Sequence, residues 1–199
     1  MIEFIIGSSL AASAGLNAWM PLFLLGLADR LLPAMSLPSG WSWLSGDLAL
    51  WILGALLLLE IVADKIPALD SVNDIVQSIL RPAAGGIAFG AGSGAQTIAV
   101  DDPASFFTDN TWIPVVAGIA IALVVHVVKA TARVAANATT GGLAAPVLST
   151  AEDGASFLLA ALAIIVPVAA AAVLIALIVG VIVLFRRRRA RRAAERTTG

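Results

Sequence analysis

The chain contains no cysteine, which excludes disulfide bonds, thiolate nucleophiles and cysteine-ligated metal centres. It contains one histidine, His126, so no multi-histidine metal site can form within a single chain. Charge is scarce as well: 13% of the 199 residues are charged, 60% are hydrophobic, and the mean hydropathy is +0.98. A typical soluble domain has about 25% charged residues, so this composition is that of a membrane protein. The N-terminus "MIEFIIGSSLAASAG" lacks a positive leader region and has Glu3 as its only early charge, so it reads as a retained membrane segment. No nucleophile–base pair and no cofactor motif is present. An enzyme, a cofactor and a nucleic-acid partner are therefore not expected.

What the sequence does have is long uncharged runs at residues 4–28, 48–59, 82–100, 110–128 and 154–185. A membrane-crossing helix needs about 20 apolar residues. The second and fourth runs reach that length only by continuing into charged sequence, which draws Glu60 and Asp64, and then His126 and Lys129, inside their helices. The expected fold is all-α, a polytopic bundle of about five transmembrane helices forming a single domain over residues 1–185. Weakly related helix-pair repeats at 4–81 and 82–150 would be followed by a closing helix at 154–185 and a basic tail at 186–199. A break in the first helix between Asn17 and Pro21 is the main competing arrangement. Seven of the twelve basic residues lie in the tail, which places the C-terminus in the cytoplasm. Gly7, Ala11 and Gly15 match Gly86, Gly90 and Gly94 as small residues at four-residue spacing. They read as close helix contacts and make a homo-oligomer a natural expectation.

The charges inside the apolar runs are patterned. On a helix, Glu60 and Asp64 lie within about 40° of each other. His126, Lys129, Arg133, Asn137 and Thr140 follow steps of three and four and fill an arc of about 80°. Between them, Asp70, Asp74, Gln77 and Arg81 line one side of a short amphipathic helix, with Val72, Ile75, Val76 and Ile79 opposite and Pro82 as its expected end. An ionised side chain at the bilayer centre costs on the order of 2.5–3.5 kcal/mol even on the mildest scale, so the acidic stripe is expected to face the basic one. Two readings follow: a polar site for an ion or charged headgroup, or a buried ion-pair network that fixes helix register. Snorkelling of Lys129 and Arg133 to the interface would explain part of the pattern. In "STAEDG", Ser149 and Glu152 have capping-box spacing, and Glu152 and Asp153 read first as helix caps.

The stretches "EIVADKIPALDSVNDIVQSILRP" and "KATARVAANATTGGLAAPVLSTAEDG", preceded by "GLNAWMPLFLLGL", resemble a family of small, mainly bacterial, integral membrane proteins catalogued as domain of unknown function 4126. The resemblance covers nearly the whole chain except the arginine tail. It highlights Glu60, Asp64, Lys65, Pro67, Asp70, Gln77, Arg81 and Pro82 in one block, and His126, Lys129, Arg133, Asn137, Thr140, Gly142, Pro146, Glu152 and Asp153 in the other. It implies a site without implying an activity. The function expected is a small transporter or channel-like protein of the bacterial inner membrane, with Glu60, Asp64, Lys65, Asp70, Asp74, Gln77, Arg81, His126, Lys129, Arg133, Asn137 and Thr140 around an ion or small charged solute. The alternatives are a protein that binds a lipid headgroup or polyprenyl phosphate through Arg81, Lys129 and Arg133, and a non-catalytic membrane scaffold. Membrane lipid is an expected partner in each.

Overall fold

The structure, a computed structural model, describes the backbone of residues 1–97, 99–103, 110 and 112–197, and the side chains of these except 67–72, 181, 184, 185 and 187–197. The charges expected at Asp70 and in most of the arginine tail thus lie outside the described side chains. Seven α-helices occur among the described residues: α1 (Ile2–Leu16), α2 (Trp19–Leu31), α3 (Asp47–Ala63), α4 (Pro67–Ser93), α5 (Trp112–Thr140), α6 (Ala145–Ile165) and α7 (Pro167–Thr197), with a short 3₁₀ turn at Ser42–Ser45. Isolated bridges pair Ser36 with Gln96 and Thr97 with Val100, and no strand forms among these residues.

α1 is the central element. Its residues from Ile6 to Gly15 are buried without interruption, and it touches α2, α4, α5, α6 and α7. The sequence permits this because the segment is mostly Gly, Ser and Ala, which let neighbouring backbones approach closely. A Cβ on Gly7 would lie 2.7 Å from the Phe89 ring, and one on Gly15 would lie 2.7 Å from the Ala122 carbonyl oxygen. α4 and α5 cross tightly at Gly85 and Gly118: a Cβ at 118 would stand 2.2 Å from the Gly85 carbonyl oxygen. Gly86 and Gly90 face Val115. These glycines are occupied by contacts within the chain, so they lend no support to a homo-oligomer. Ser13 and Ser156 clasp α1 to α6 reciprocally, each hydroxyl 2.9–3.0 Å from the other's backbone carbonyl.

Several expected boundaries move. The run at 4–28 is two helices, because Asn17 is extended (φ −144°, ψ 119°) and its Oδ1 accepts the amides of Trp19 and Met20 at 3.2 and 3.0 Å. The competing arrangement, a break between Asn17 and Pro21, is thus the one found, at its first residue. The run at 154–185 also divides, at Val166, since Pro167 has no N–H to continue the ladder. Pro82, by contrast, does not end a helix: α4 runs unbroken through it from Pro67 to Ser93, across the point where two repeats were expected to meet. One lost hydrogen bond is outweighed there by packing on α1 and on α5, its most extensive neighbour. α5 stops at Thr140 because Gly141 and Gly142 adopt φ of 60° and 88°, a left-handed conformation that glycine enters without steric cost.

Two helices among the described residues, α5 and α6, are long and apolar enough to cross a membrane, and α1 and residues 167–180 are apolar but shorter. Five such spans are not found by this measure. Leu58, Leu59, Ile75, Ile79, Val134 and Leu143 are exposed, whereas the two largest fully buried side chains are Arg81 and Arg133.

Candidate functional site

The break between α1 and α2 organises the charged interior. A helix end leaves backbone groups unpaired, with partial negative charge at the C-terminus and positive charge at the N-terminus. Here each end meets its opposite. The Leu16 carbonyl at the end of α1 accepts the Lys129 ammonium at 2.6 Å. The Ala18 amide at the start of α2 donates to the Glu60 carboxylate at 3.0 and 3.3 Å. Asn17 between them caps α2 with its carbonyl and donates its Nδ2 to Asp153 at 3.0 Å.

Glu60 and Asp64 stand at the last turn and C-cap of α3, the negative end of their own helix, where a carboxylate is unfavourable. Cations from α4 and α5 compensate. Arg81 Nη2 lies 2.9 Å from Glu60 and 3.5 Å from Asp64. Asp64 also receives Lys129 and Arg133, both at 3.1 Å, and the Asn73 amide at 2.6 Å. Glu152 on α6 closes the ring from the far side, 3.2 Å from Lys129 and bonded to the Arg133 guanidinium through both its oxygens. A neighbouring pair, Lys65 and Asp153, is joined at 3.1 Å, and Lys65 also reaches the Ile61 carbonyl at 3.1 Å.

These groups are removed from solvent to an unusual degree. Glu60, Asp64, Lys129 and Arg133 are 2%, 1%, 4% and 1% exposed, and Arg81 is fully buried. Lys129 and Arg133 therefore do not snorkel, contrary to one expectation. Arg81, expected near the end of a short amphipathic helix, sits in the interior because α4 continues past Pro82 and carries it there. His126 has a defined state: its Nδ1 is 3.1 Å from Arg81 Nη1, and a guanidinium can only donate. The ring nitrogen accepts, so His126 is neutral with its proton on Nε2.

Of the residues singled out in the sequence, Glu60, Asp64, Lys65, Arg81, His126, Lys129 and Arg133 come together, with Asp74 Oδ1 at 3.8 Å from Arg81. Gln77 is buried and Asn137 half-buried; Asp74 Oδ1, Gln77 Oε1 and Asn137 Oδ1 have no hydrogen-bond partner among the described residues. Thr140 does not join: it is exposed and bonds back to the Ala136 carbonyl. Ser149 and Glu152 are not a capping box, because α6 begins at Ala145 and places both inside the helix, and Glu152 and Asp153 act as ion-pair partners instead. Asn17 and Asn73 were missed as site residues. Asn17 left a signal, as the one amide side chain within the 25-residue uncharged run at 4–28. No group of three or more His, Asp or Glu suited to a metal ion occurs among the described residues.

The described cluster is not balanced. Five carboxylates, Glu60, Asp64, Asp74, Glu152 and Asp153, meet four cationic side chains, Lys65, Arg81, Lys129 and Arg133. With His126 neutral, the arrangement can accept one further positive charge or a proton.

No curated protein and no solved structure matches the chain. Residues 4–187 match the model of the family described as a domain of unknown function, DUF4126, and the chain belongs to that family.

Proposed function

We propose that this chain is a small multi-pass membrane protein, a transporter or channel-like protein whose interior cluster binds a proton or a small cation on its way through the bundle. The observation that carries this reading is the extra carboxylate of the described cluster, in which Asp74 Oδ1 stands 3.8 Å from Arg81 with no hydrogen-bond donor among the described residues. Buried acceptors of this kind call for a donor or a cation. The broken α1–α2 helix supports the reading, because unwound backbone at a charged interior site is how many transporters expose helix ends to their ions. Exposed leucine, isoleucine and valine around a charged core support several lipid-facing helices, and the basic tail from Arg186 supports a cytoplasmic C-terminus in a bacterial inner membrane. A phosphate-bearing headgroup has weaker support, since Arg81, Lys129 and Arg133 already donate to carboxylates.

The test is flux through reconstituted protein. Glu60→Gln preserves an acceptor for the Ala18 amide but removes one negative charge, so proton or monovalent-cation flux should fall at least tenfold. Flux unchanged across a panel of cations would overturn the reading.

A further inference from the structure

Neither arm of the broken first segment is long enough to cross a membrane. α1 has 15 residues and α2 has 13, about 22 and 20 Å of helix against about 30 Å of hydrocarbon. Their neighbours show that the two arms do not add end to end. The first half of α1 lies beside the last turns of α4, with Gly7 against Phe89, Gly92 against Leu10, and the Phe4 and Phe89 rings 5.7 Å apart. Its last residue, Leu16, reaches Lys129 in the ring. α2 then leaves the ring at Ala18, bonded to Glu60, and returns to the same end of α4. There Gly26 packs on Leu44, Asp29 accepts the Leu37 amide at 2.8 Å, and Ser36 pairs with Gln96 just beyond Ser93. Both ends of the pair are thus at one end of the bundle, and its tip is at the ring.

We propose that α1 and α2 form a re-entrant hairpin, entering and leaving the bilayer on one face, and that the charged ring at its tip takes its proton or cation from the opposite face. This rests on the membrane-transport reading above and assigns the side from which that site is filled. Irregular backbone at membrane depth is tolerated where it is buried in protein or lines water, and Asn17 and Ala18 at the tip are fully buried. The two sides of the ring differ. Toward the open end of the hairpin the packing is closed: Ile6 to Gly15 are buried without interruption, and Ser13 and Ser156 clasp α1 to α6. Toward the other end lie the turns that join α3 to α4 and α5 to α6, with Thr140 and Leu143 exposed. The partly open charges are on that side as well, the Lys65 and Asp74 side chains being 36% and 20% exposed against 1% for Glu60. Asp74 Oδ1, with no donor among the described residues, offers an arriving cation or proton its first acceptor. α7 runs back along α6 until Ile182 shares a crevice with Leu148 and Glu152, so Arg186 and the basic tail follow at this same end.

The chain has no cysteine, so a single introduced thiol reports its own position to a membrane-impermeant maleimide in right-side-out and inside-out vesicles. Ile2→Cys and Ser39→Cys should label from one face, and Thr140→Cys from the other. If α1 and α2 crossed together as one bent span, Ile2→Cys and Ser39→Cys would label from opposite faces, which overturns the hairpin. The filling side is read with a small charged methanethiosulfonate on whichever of Asp74→Cys and Gln77→Cys keeps the wild-type melting temperature. That thiol should react at least tenfold faster from the Thr140 face. An equal or faster reaction from the Ser39 face, or labelling of Ser13→Cys from that face, overturns one-sided filling. Failure of the hairpin pattern with Glu60→Gln still lowering ion flux leaves the cation site standing. The expected pattern with flux unaffected by Glu60→Gln keeps the hairpin and overturns the transport reading instead.

Discussion

Removing Arg81 tests whether the charged ring is held together as the geometry implies. The guanidinium touches Glu60 at 2.9 Å, Asp64 at 3.5 Å and His126 Nδ1 at 3.1 Å, and is fully buried. Arg81→Met keeps the volume of the stem and strands Glu60 with the Ala18 amide as its remaining hydrogen-bond donor. Breaking a buried pair from one side costs about 3–5 kcal/mol, because an uncompensated charge stays behind. Asp64 adds little to this, since it retains Lys129 and Arg133 at 3.1 Å each. At about 2–4 °C per kcal/mol for a chain of this size, the melting temperature in detergent should fall by about 6–20 °C. The double variant Glu60→Gln/Arg81→Met removes charge from both sides and keeps an acceptor for Ala18, so it should recover most of the loss. The cycle then yields a coupling of about 2–3 kcal/mol. A single-variant loss below about 1 kcal/mol, or a double variant no better than the sum of its parts, would refute the arrangement.

Other consequences are as direct. Asn17→Ala removes the cap on Trp19 and Met20 together with the bond to Asp153, and should cost about 1–2 kcal/mol, read as a lower midpoint in unfolding from mixed micelles. Gly118→Ala places a Cβ 2.2 Å from the Gly85 carbonyl oxygen and should destabilise by about 1–3 kcal/mol. Gly154→Ala meets nothing within 4 Å on its helix and should be neutral or stabilising by up to about 1 kcal/mol. The pair separates close packing from general intolerance of glycine replacement, and equal melting temperatures for the two would count against the α4–α5 crossing. Lys129→Met leaves both the Leu16 carbonyl and part of the Asp64 and Glu152 charge unmatched. It should destabilise by about 3–5 kcal/mol, more than the exposed Arg30→Met, whose partner Asp47 is solvated.

The fold and the ring were legible in the sequence to different degrees, and the difference follows from which interactions are local. Glu60 with Asp64, and His126 with Lys129 and Arg133, repeat at helical spacing, so each helix displays its set on one side and the cost of leaving ionised groups in apolar surroundings turns those sides toward each other. That much needs no tertiary information. Arg81 was misplaced because Pro82 reads as a terminator when only the missing N–H is considered. The contacts of α4 with α1 and α5 that override it are long-range. Glu152 and Asp153 suffered the converse error: their spacing from Ser149 fits a cap, but the helix starts at Ala145, with Pro146 in its first turn, and a cap four residues into a helix has no free amide to bind. Asn17 required the most context, since its Oδ1 caps α2 locally while its Nδ2 finds Asp153 only when α6 arrives from a distant segment.

The placement of the acids argues against the ring being merely a device for register. Two carboxylates at the C-terminal end of α3 oppose its dipole, and their cations are themselves desolvated, so apolar residues of similar shape would hold α3, α4 and α5 together at lower cost. Ion pairs that fix register need only match in number and sign. This ring retains one carboxylate more than its cations can neutralise among the described residues, keeps its histidine uncharged, and wraps a helix break that exposes backbone of both polarities. An unmatched buried charge is destabilising unless something else supplies its counterpart, and the proton or small cation proposed above as its occupant would supply it.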